Sequence, residues 1–196
     1  MNENDQTLFT EYFQLDHEIR VNVKDGGELS SLPSFDEFER SIPTPFKIAS
    51  EMKGLEQTML RPLRQLGDVI EPLADYLKAQ SRKIDLMMSY ILQSEDEIEL
   101  QFTTKSYGGG GFTFTSPEAF ATDHWLVCKL FFNEDAAAVY CHGRLVESQA
   151  LEEGQGFLNT VIFHHIREED QEVVVRASLH QQSKQLLKKT QKRNQP

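Results

Sequence analysis

The sequence predicts an α+β protein in which a small antiparallel β-structure is combined with long helices. Three observations support this prediction: strict apolar-polar alternation near the N-terminus, heptad spacing in the middle, and a return to alternation afterwards. The chain has 196 residues, of which 39% are hydrophobic and 13 are Phe, so it can bury the core of one ordinary domain.

The first predicted strand covers residues 18–24, where apolar and polar residues alternate, and it is expected to end in the turn Asp25-Gly26-Gly27. Residues 28–50 then hold three prolines among scattered phenylalanines. Proline interrupts both helices and sheets, so this stretch predicts an irregular or short-helical connection.

The middle of the chain repeats apolar residues at spacings of four and three, which is typical of a coiled-coil seam. The alternative is a helix that packs on the core of its own domain, whose apolar face would be wider. Pro72 predicts a kink or break near Glu71. Gln80 would form a polar layer that fixes the register. The predicted seam positions are Met59, Leu63, Leu66, Ile70, Leu73, Leu77, Gln80, Ile84, Met87 and Ile91.

Apolar and polar residues alternate again beyond Glu95, and this pattern predicts five more strands. The total of about six strands fits a small antiparallel barrel or sandwich. The acidic residues 168–170 predict the start of a closing helix, with Val175, Leu179 and Leu186 on one face. The five strands are expected near residues 98–102, 112–114, 125–132, 139–146 and 157–163.

This order of elements predicts how the chain is organised. The five predicted segments are a first strand (1–30), a connection (31–58), a heptad oligomerisation helix (59–94), the rest of the barrel (95–166), and a C-terminal helix with a basic tail (167–196).

Charge and composition exclude several classes of function. The net charge of −11 argues against nucleic-acid binding, although the last 24 residues hold six basic and no acidic residues, so residues 1–172 carry −17. The basic tail is either a solvated helix end or a site for an acidic partner. No apolar run is long enough to span a bilayer and the N-terminus is polar, so we expect a cytoplasmic protein without membrane insertion.

Residue patterns that could support catalysis or metal binding are weak. The glycines at 108–111 precede a predicted strand and lack the Lys of a phosphate-binding loop. His164 and His165 are adjacent, and adjacent strand residues point to opposite faces, so we do not expect them to chelate a metal together. Cys128 and Cys141 are expected to be reduced thiols on strands. The sequence therefore predicts no catalytic residues, no metal and no cofactor.

The segment from Thr104 to Phe112 resembles the second signature of PilZ domains, (Asp/Asn)-x-Ser-x-x-Gly followed by a strand, with Ser106 and Gly109 matching and Thr104 in the first place. Further stretches are similar to a divergent branch of that family, in which a heptad helix follows the first strand. These stretches are the Pro117 turn, residues 143–146, residues 83–88, residues 169–172, Arg176 and residues 181–182. The resemblance covers nearly the whole chain.

The resemblance implies a six-stranded antiparallel barrel, a homo-oligomer that is a tetramer, and a non-catalytic signalling adaptor in bacterial cyclic di-GMP pathways of motility, biofilm or secretion. Such an adaptor acts through contacts with a protein partner, which the sequence does not identify. The alternative is a ligand-independent structural or assembly protein on the same scaffold.

The ligand residues that the resemblance implies are Arg20, Thr104, Ser106 and Gly109, and this set is degenerate. The first PilZ signature is Arg-x-x-x-Arg, and Arg20 stands for its second arginine while Asp16 occupies the place of the first. A carboxylate repels phosphate where a guanidinium would bind it. We therefore do not expect cyclic di-GMP to bind directly.

Overall fold

The computed structural model describes residues 12–52 and 71–193, together with residues 5, 7 and 9. Within these residues, seven strands and four helices form the framework. The strands are β1 (Leu15–Asp16), β2 (Arg20–Glu28), β3 (Gln101–Gly108), β4 (Gly111–Ser116), β5 (His124–Phe132), β6 (Ala137–Ala150) and β7 (Phe157–His165). The helices are α1 (Phe35–Ser41), α2 (residues 44–52), α3 (Glu71–Gln93) and α4 (Glu168–Arg193).

The strands form a closed antiparallel barrel. Six of them pair in the order β3-β2-β5-β6-β7-β4, and the pairing of β3 with β4 closes the ring. The short strand β1 also pairs with β3, so that β1 and β2 follow one another along the same neighbour. Closure removes free sheet edges, which is how small all-β units avoid edge-to-edge association. The predicted six-stranded barrel is therefore confirmed.

Two strand boundaries differ from the prediction. Asp25-Gly26-Gly27 is a bulge inside β2 and not its terminal turn, because Gly27 still pairs with Trp125 after the register shifts. Gly27 has a φ of +103°, which glycine adopts without strain. Residues Ile98–Leu100 form a single 3-10 turn, and β3 begins after them. Alternation alone cannot distinguish this turn from the start of a strand.

The protein has two apolar clusters, one inside the barrel and one outside it. The inner cluster is built from alternate residues of all six barrel strands and is closed at one end by Val173, Val174 and Ala177 of α4. The outer cluster packs α1, α2 and the end of α3 against the outward face of β5 and β6. Its buried members are Phe38, Ile42, Phe46, Ala49, Met88, Leu92, Phe131, Ala138 and Tyr140.

Helix α3 contacts the barrel through residues other than the predicted seam. Met88 and Leu92 are buried in the outer cluster, whereas Leu73, Met87 and Ile91 are 52%, 59% and 42% exposed. The side chains of two further seam residues, Leu77 and Gln80, are half-buried. Gln80 donates a hydrogen bond to the Tyr76 hydroxyl. Ile84 is 37% exposed. The remaining predicted seam residues, Met59, Leu63, Leu66 and Ile70, lie outside the described residues.

The face of α4 that packs most closely on the barrel is not the one that Val175, Leu179 and Leu186 share. Asp170, Val174 and Ser178 are buried, whereas Leu179 and Leu186 are more than half exposed. Leu179 and Leu186 therefore lie on an outer face, whereas Val175 is half-buried and packs against Gly109. The inner face carries Val173, Val174 and Ala177 of the inner cluster, with the buried polar residues Asp170 and Ser178 beside them.

The basic end of α4 is expected to be dispensable for folding. Residues 188–191 are exposed, and the last hydrogen bond that we find from α4 to the body of the protein is donated by Gln185 to the Asp16 carbonyl. A helix end without buried apolar area contributes little to stability. Truncation after Leu187 should leave the melting temperature within about 1–2 °C of the parent. A loss of several degrees in a thermal scan would show that this end docks on the acidic body.

No helix in the described ranges is both long and apolar enough to cross a membrane.

Candidate functional site

The residues implied by the PilZ resemblance are brought together along β3. Asp16 of β1 lies opposite Ser106, and Arg20 of β2 lies opposite Thr103, next to Thr104. Gly109 lies in the turn between β3 and β4. The structure therefore places the two partial signatures side by side, and their side chains are engaged in contacts within the chain.

Thr104 holds the break between β1 and β2. Its side chain is fully buried, and its hydroxyl accepts a hydrogen bond from the Ile19 amide at 3.0 Å while it donates one to the His17 carbonyl at 2.9 Å. Both backbone groups would otherwise lack a partner where the two strands separate. Threonine at this position therefore has a structural role, and its hydroxyl is not free for a ligand.

Ser106 and Gly109 are likewise enclosed. The Ser106 hydroxyl lies 2.9 Å from the Thr113 hydroxyl on the neighbouring strand. Gly109 is buried beneath Tyr12 and Val175, and a Cβ at this position would come within 2.7 Å of each. The Gly109 carbonyl accepts a hydrogen bond from Gln171 of α4 at 2.8 Å. The glycine is therefore required for close packing of α4 and the N-terminal segment.

Arg20 is bound to a carboxylate that sequence reasoning missed. Its guanidinium donates to Asp96 at 2.9 Å, and the Asp96 carboxylate also accepts hydrogen bonds from Asn22 and Gln101, each at 2.9 Å. The side chain of Asp96 is only 6% exposed. Because Asp96 follows directly after α3, this network fixes the end of α3 to the first long strand of the barrel.

A second ion pair supports the same junction. The Lys129 ammonium donates to the Glu95 carbonyl at 2.9 Å and to the Glu97 carboxylate at 2.8 Å. The hydrogen bond and charge of Lys129 lower the pKa of Glu97 below its ordinary value. A run of acids after a helix, Glu95-Asp96-Glu97, was the available signal for this junction, although its basic partners lie far away in sequence.

A cleft of about 400 Å³ opens beside Arg20, between β2, the turn after β5, and α4. It also contains His17 and His180, but the carboxyl-bearing residues Glu18 and Asp135 line it as well. Nδ1 of His180 lies 3.2 Å from a carboxylate oxygen of Asp135. With two carboxylates lining the cleft and Arg20 bound to Asp96, its electrostatics do not favour a doubly phosphorylated ligand.

A cluster of aromatic and histidine rings lies on the outer face of β5, β6 and β7. His142 is buried, with its ring centroid 4.7 Å from that of Trp125 and 4.8 Å from that of Phe38. Burial, reinforced by the neighbouring histidines, lowers the pKa of His142 to about 4. The ring is therefore neutral at physiological pH.

His164 and His165 do not point to opposite faces, contrary to the prediction. Their ring centroids are 4.6 Å apart, because both lie at the end of β7 where the strict alternation is lost. His165 Nε2 lies 2.9 Å from the Pro33 carbonyl. Among the residues that the structure describes, no group of three or more His, Cys, Asp or Glu side chains is arranged to hold a metal ion.

The two cysteines face each other on β5 and β6, and both are free and buried. Burial and the adjacent Cys128 raise the pKa of the Cys141 thiol well above its ordinary value. A thiol that stays protonated is a poor nucleophile. Both cysteines belong to the inner apolar cluster, where they pack as small hydrophobic side chains.

A comparison with solved structures identifies the fold. A tetrameric PilZ domain from Xanthomonas campestris, self-assembled via an unusual helical bundle, aligns with 93% of this chain and 97% of its own, with a TM-score of 0.54 and 15% identity. This chain has the PilZ fold. The inhibitor of motility from Bacillus subtilis also aligns, over 45% of this chain and 44% of its own, with a TM-score of 0.39 and 12% identity. The sequence matches no protein-family model and no curated protein.

Each of the four implied ligand residues contacts other parts of the chain. Arg20 binds Asp96, Thr104 bonds the backbone, Ser106 bonds Thr113, and Gly109 lies beneath α4. Each therefore has a stabilising contact within this PilZ barrel, which does not depend on a nucleotide.

Proposed function

We propose that this protein is a non-catalytic PilZ-type adaptor of bacterial cyclic di-GMP pathways, which assembles through α3 and acts by contacts with another protein. The observation that carries the proposal is the exposed apolar face of α3. This helix is attached to the barrel by Met88 and Leu92, yet it carries seven large hydrophobic side chains that are more than a third exposed. These are Leu73, Tyr76, Ile84, Leu86, Met87, Tyr90 and Ile91.

The pattern of this face supports a bundle of more than two helices. In the predicted heptads, Ile84 and Ile91 are at a, Met87 is at d, and Tyr76 and Tyr90 are at g. An apolar face that adds g to a and d is typical of helices in multi-helix bundles, whereas a strict a and d seam suits a two-stranded coiled coil. The Xanthomonas protein assembles as a tetramer via a helical bundle, which supports the same arrangement here.

Replacement of Ile84 with glutamate is expected to dissociate the oligomer, because it places a charge within the apolar seam. Light scattering coupled to size exclusion should give a tetramer for the parent and a smaller species for the variant at tens of micromolar. The matched control is Arg82→Glu, which introduces the same side chain on an exposed position away from the seam. A monomeric parent, or an Ile84→Glu variant that remains tetrameric, would refute assembly through α3.

Catalysis and direct nucleotide binding are not part of the proposal. Charge-assisted hydrogen bonds contribute about 1.5–3 kcal/mol each, so the loss of one arginine and one signature acceptor lowers affinity by about two to four powers of ten. The Asp96 carboxylate, 2.9 Å from the Arg20 guanidinium, would also compete with a ligand phosphate for Arg20.

We therefore expect no binding of cyclic di-GMP by calorimetry at up to about 50 μM ligand, where a micromolar site would be saturated. The matched variant is Asp96→Asn, which weakens the competition for Arg20 and should bind the nucleotide no worse than the parent. Saturable tight binding by the parent protein would show that the ligand regulates the adaptor directly.

The internal use of all four implied ligand residues also favours a second candidate, a ligand-independent structural or assembly protein on a PilZ scaffold. The two candidates share the oligomer and differ in signalling. An adaptor requires a protein partner whose output changes with cyclic di-GMP in the cell. A structural protein should give the same phenotype on deletion whether the nucleotide is abundant or depleted.

A further inference from the structure

A groove that no part of the proposed function uses lies on the outer face of β5 and β6. It has a volume of about 460 Å³ and is open on one side. The outward side chains of the two strands form its floor, and the segment before α1 and α1 itself form its walls. The lining residues are Ser30, Ser31, Leu32, Pro33, Glu37, Ser41, Trp125, Val127, Tyr140 and His142.

The side-chain oxygens of this groove are partly used within the chain, and their hydroxyl protons are not available to a ligand. The hydroxyl of Ser31 donates to the Glu28 carbonyl, and that of Ser41 donates to the Phe38 carbonyl, both at 2.7 Å, so each hydroxyl proton is already used. Oε2 of Glu37 accepts from the Ser34 amide and hydroxyl at 2.9 Å. The hydrogen bonds of the Glu37 carboxylate in the described part of the chain use Oε2, so Oε1 can accept from a ligand. The charge of Arg40 acts on this carboxylate, but no lysine or arginine lines the groove itself.

Trp125 is held in place on the groove floor. Its indole nitrogen donates to the Ser31 hydroxyl at 3.2 Å, and its ring covers Gly26 so closely that a Cβ there would lie 2.4 Å from it. Tyr140 is buried beside α1 and supplies a second aromatic ring to the floor. The groove therefore combines fixed aromatic surface with a carboxylate and spare acceptors.

We propose that this groove binds an arginine side chain of a peptide segment from another protein. A guanidinium has five N–H donors and no acceptor, which is the complement of a groove that offers acceptors. It is planar, it stacks on aromatic rings, and its positive charge is complementary to Glu37. A lysine ammonium lacks the planar shape and is more strongly hydrated, so it should bind more weakly.

The fluorescence of Trp125 gives a direct assay, because it is the one tryptophan of the chain. The protein is titrated with the peptides acetyl-Gly-Arg-Gly-amide, acetyl-Gly-Lys-Gly-amide and acetyl-Gly-citrulline-Gly-amide, up to about 5 mM. We expect a saturable change with the arginine peptide, and at least about tenfold weaker binding with citrulline, which has the shape of arginine without its charge. No response, or an equal response to citrulline, would overturn the proposal.

Two variants locate the site. Glu37→Gln should weaken arginine-peptide binding at least about tenfold, and it should keep α1 intact because glutamine can replace glutamate in the capping box with Ser34. Glu39→Gln changes the same type of exposed residue on the same helix and should leave binding unchanged. Equal loss in both variants would show a non-specific charge effect and overturn the proposal.

A further experiment tests whether the groove is filled by the basic tail of this chain and not by another protein. Binding that appears only after truncation beyond Leu187 would identify that tail as the natural occupant, which would overturn binding of another protein. Peptide binding by a monomeric protein would refute assembly through α3 and leave the groove proposal intact, so the two failures are distinguishable.

Discussion

Replacement of Arg167 with methionine is expected to lower the free energy of unfolding by about 3–5 kcal/mol, because it leaves a buried carboxylate without its cation. Asp170, at the start of α4, is fully buried. The Arg167 guanidinium donates to both of its oxygens, from Nε at 2.7 Å and from Nη2 at 3.0 Å. The hydroxyl of Ser50 in α2 also donates to Asp170.

This cluster connects parts of the chain that are more than a hundred residues apart. The carboxylate of Asp170 lies between α4 and α2, so removal of its Arg167 partner should loosen the packing of both helices. Burial already raises the pKa of Asp170, against the lowering effect of Arg167. In the variant, protonation at acidic pH would relieve the buried charge, so the deficit should shrink as the pH falls.

Urea unfolding at pH 7 measures this effect. The matched control is Arg176→Met on the same helix, whose ion pair with Glu172 at 3.6 Å is largely exposed. Exposed pairs contribute about 0–1 kcal/mol, so the control should stay close to the parent. If both variants lost similar stability, Asp170 would not depend on Arg167 for its charge.

The barrel was predictable from sequence because its strands alternate strongly and are separated by clear turns. Phe112 and Phe114 alternate after the glycines, and the residues on either side of Asn133 form the expected hairpin. The bulge at Asp25 was not predictable as such, because Asp-Gly-Gly favours a tight turn equally well. The indole of Trp125 that covers Gly26 belongs to a strand about 100 residues away.

The strands that carry the signature residues could be predicted, whereas the contacts of their side chains could not. The signature residues did identify β3 and the start of β2, which adjoin in the structure. Asp96 was missed because a carboxylate after a helix resembles any solvated acid, and only the fold brings Arg20, Asn22 and Gln101 to it. The inner face of α4 was missed because its apolar side chains, Val173, Val174 and Ala177, are short, whereas the larger Leu179 and Leu186 lie on the exposed side.

The pH dependence of stability should be dominated by His142 between pH 7 and pH 5. Its pKa is about 4 in the folded protein and 6.5 in an unfolded chain, so the unfolded state binds the proton first as the pH falls. Stability present above pH 6.5 is therefore lost progressively down to about pH 4. The expected loss from His142 between pH 7 and pH 5 is about 2 kcal/mol.

Other titratable groups also affect how the free energy of unfolding depends on pH, but stability should still fall between pH 7 and pH 5. Burial lowers the pKa of His164, which acts in the same direction as His142. The lowered pKa values of Glu37 and Glu97 become important only below about pH 4.5. The raised pKa of Asp170 opposes the loss, because the folded state takes up that proton before the unfolded state does.

A His142→Phe variant isolates the contribution of this ring. Phenylalanine keeps the contacts with Phe38 and Trp125 but cannot take up a proton, and it removes a buried Nδ1 that has no hydrogen-bond partner among the described residues. Urea unfolding at pH 7 and pH 5 should therefore show at most half of the parent's loss of stability. His180→Gln, which changes an exposed histidine, should keep the parent's slope. An unchanged slope in His142→Phe would mean that the proton is taken up elsewhere, with His164 as the first residue to test.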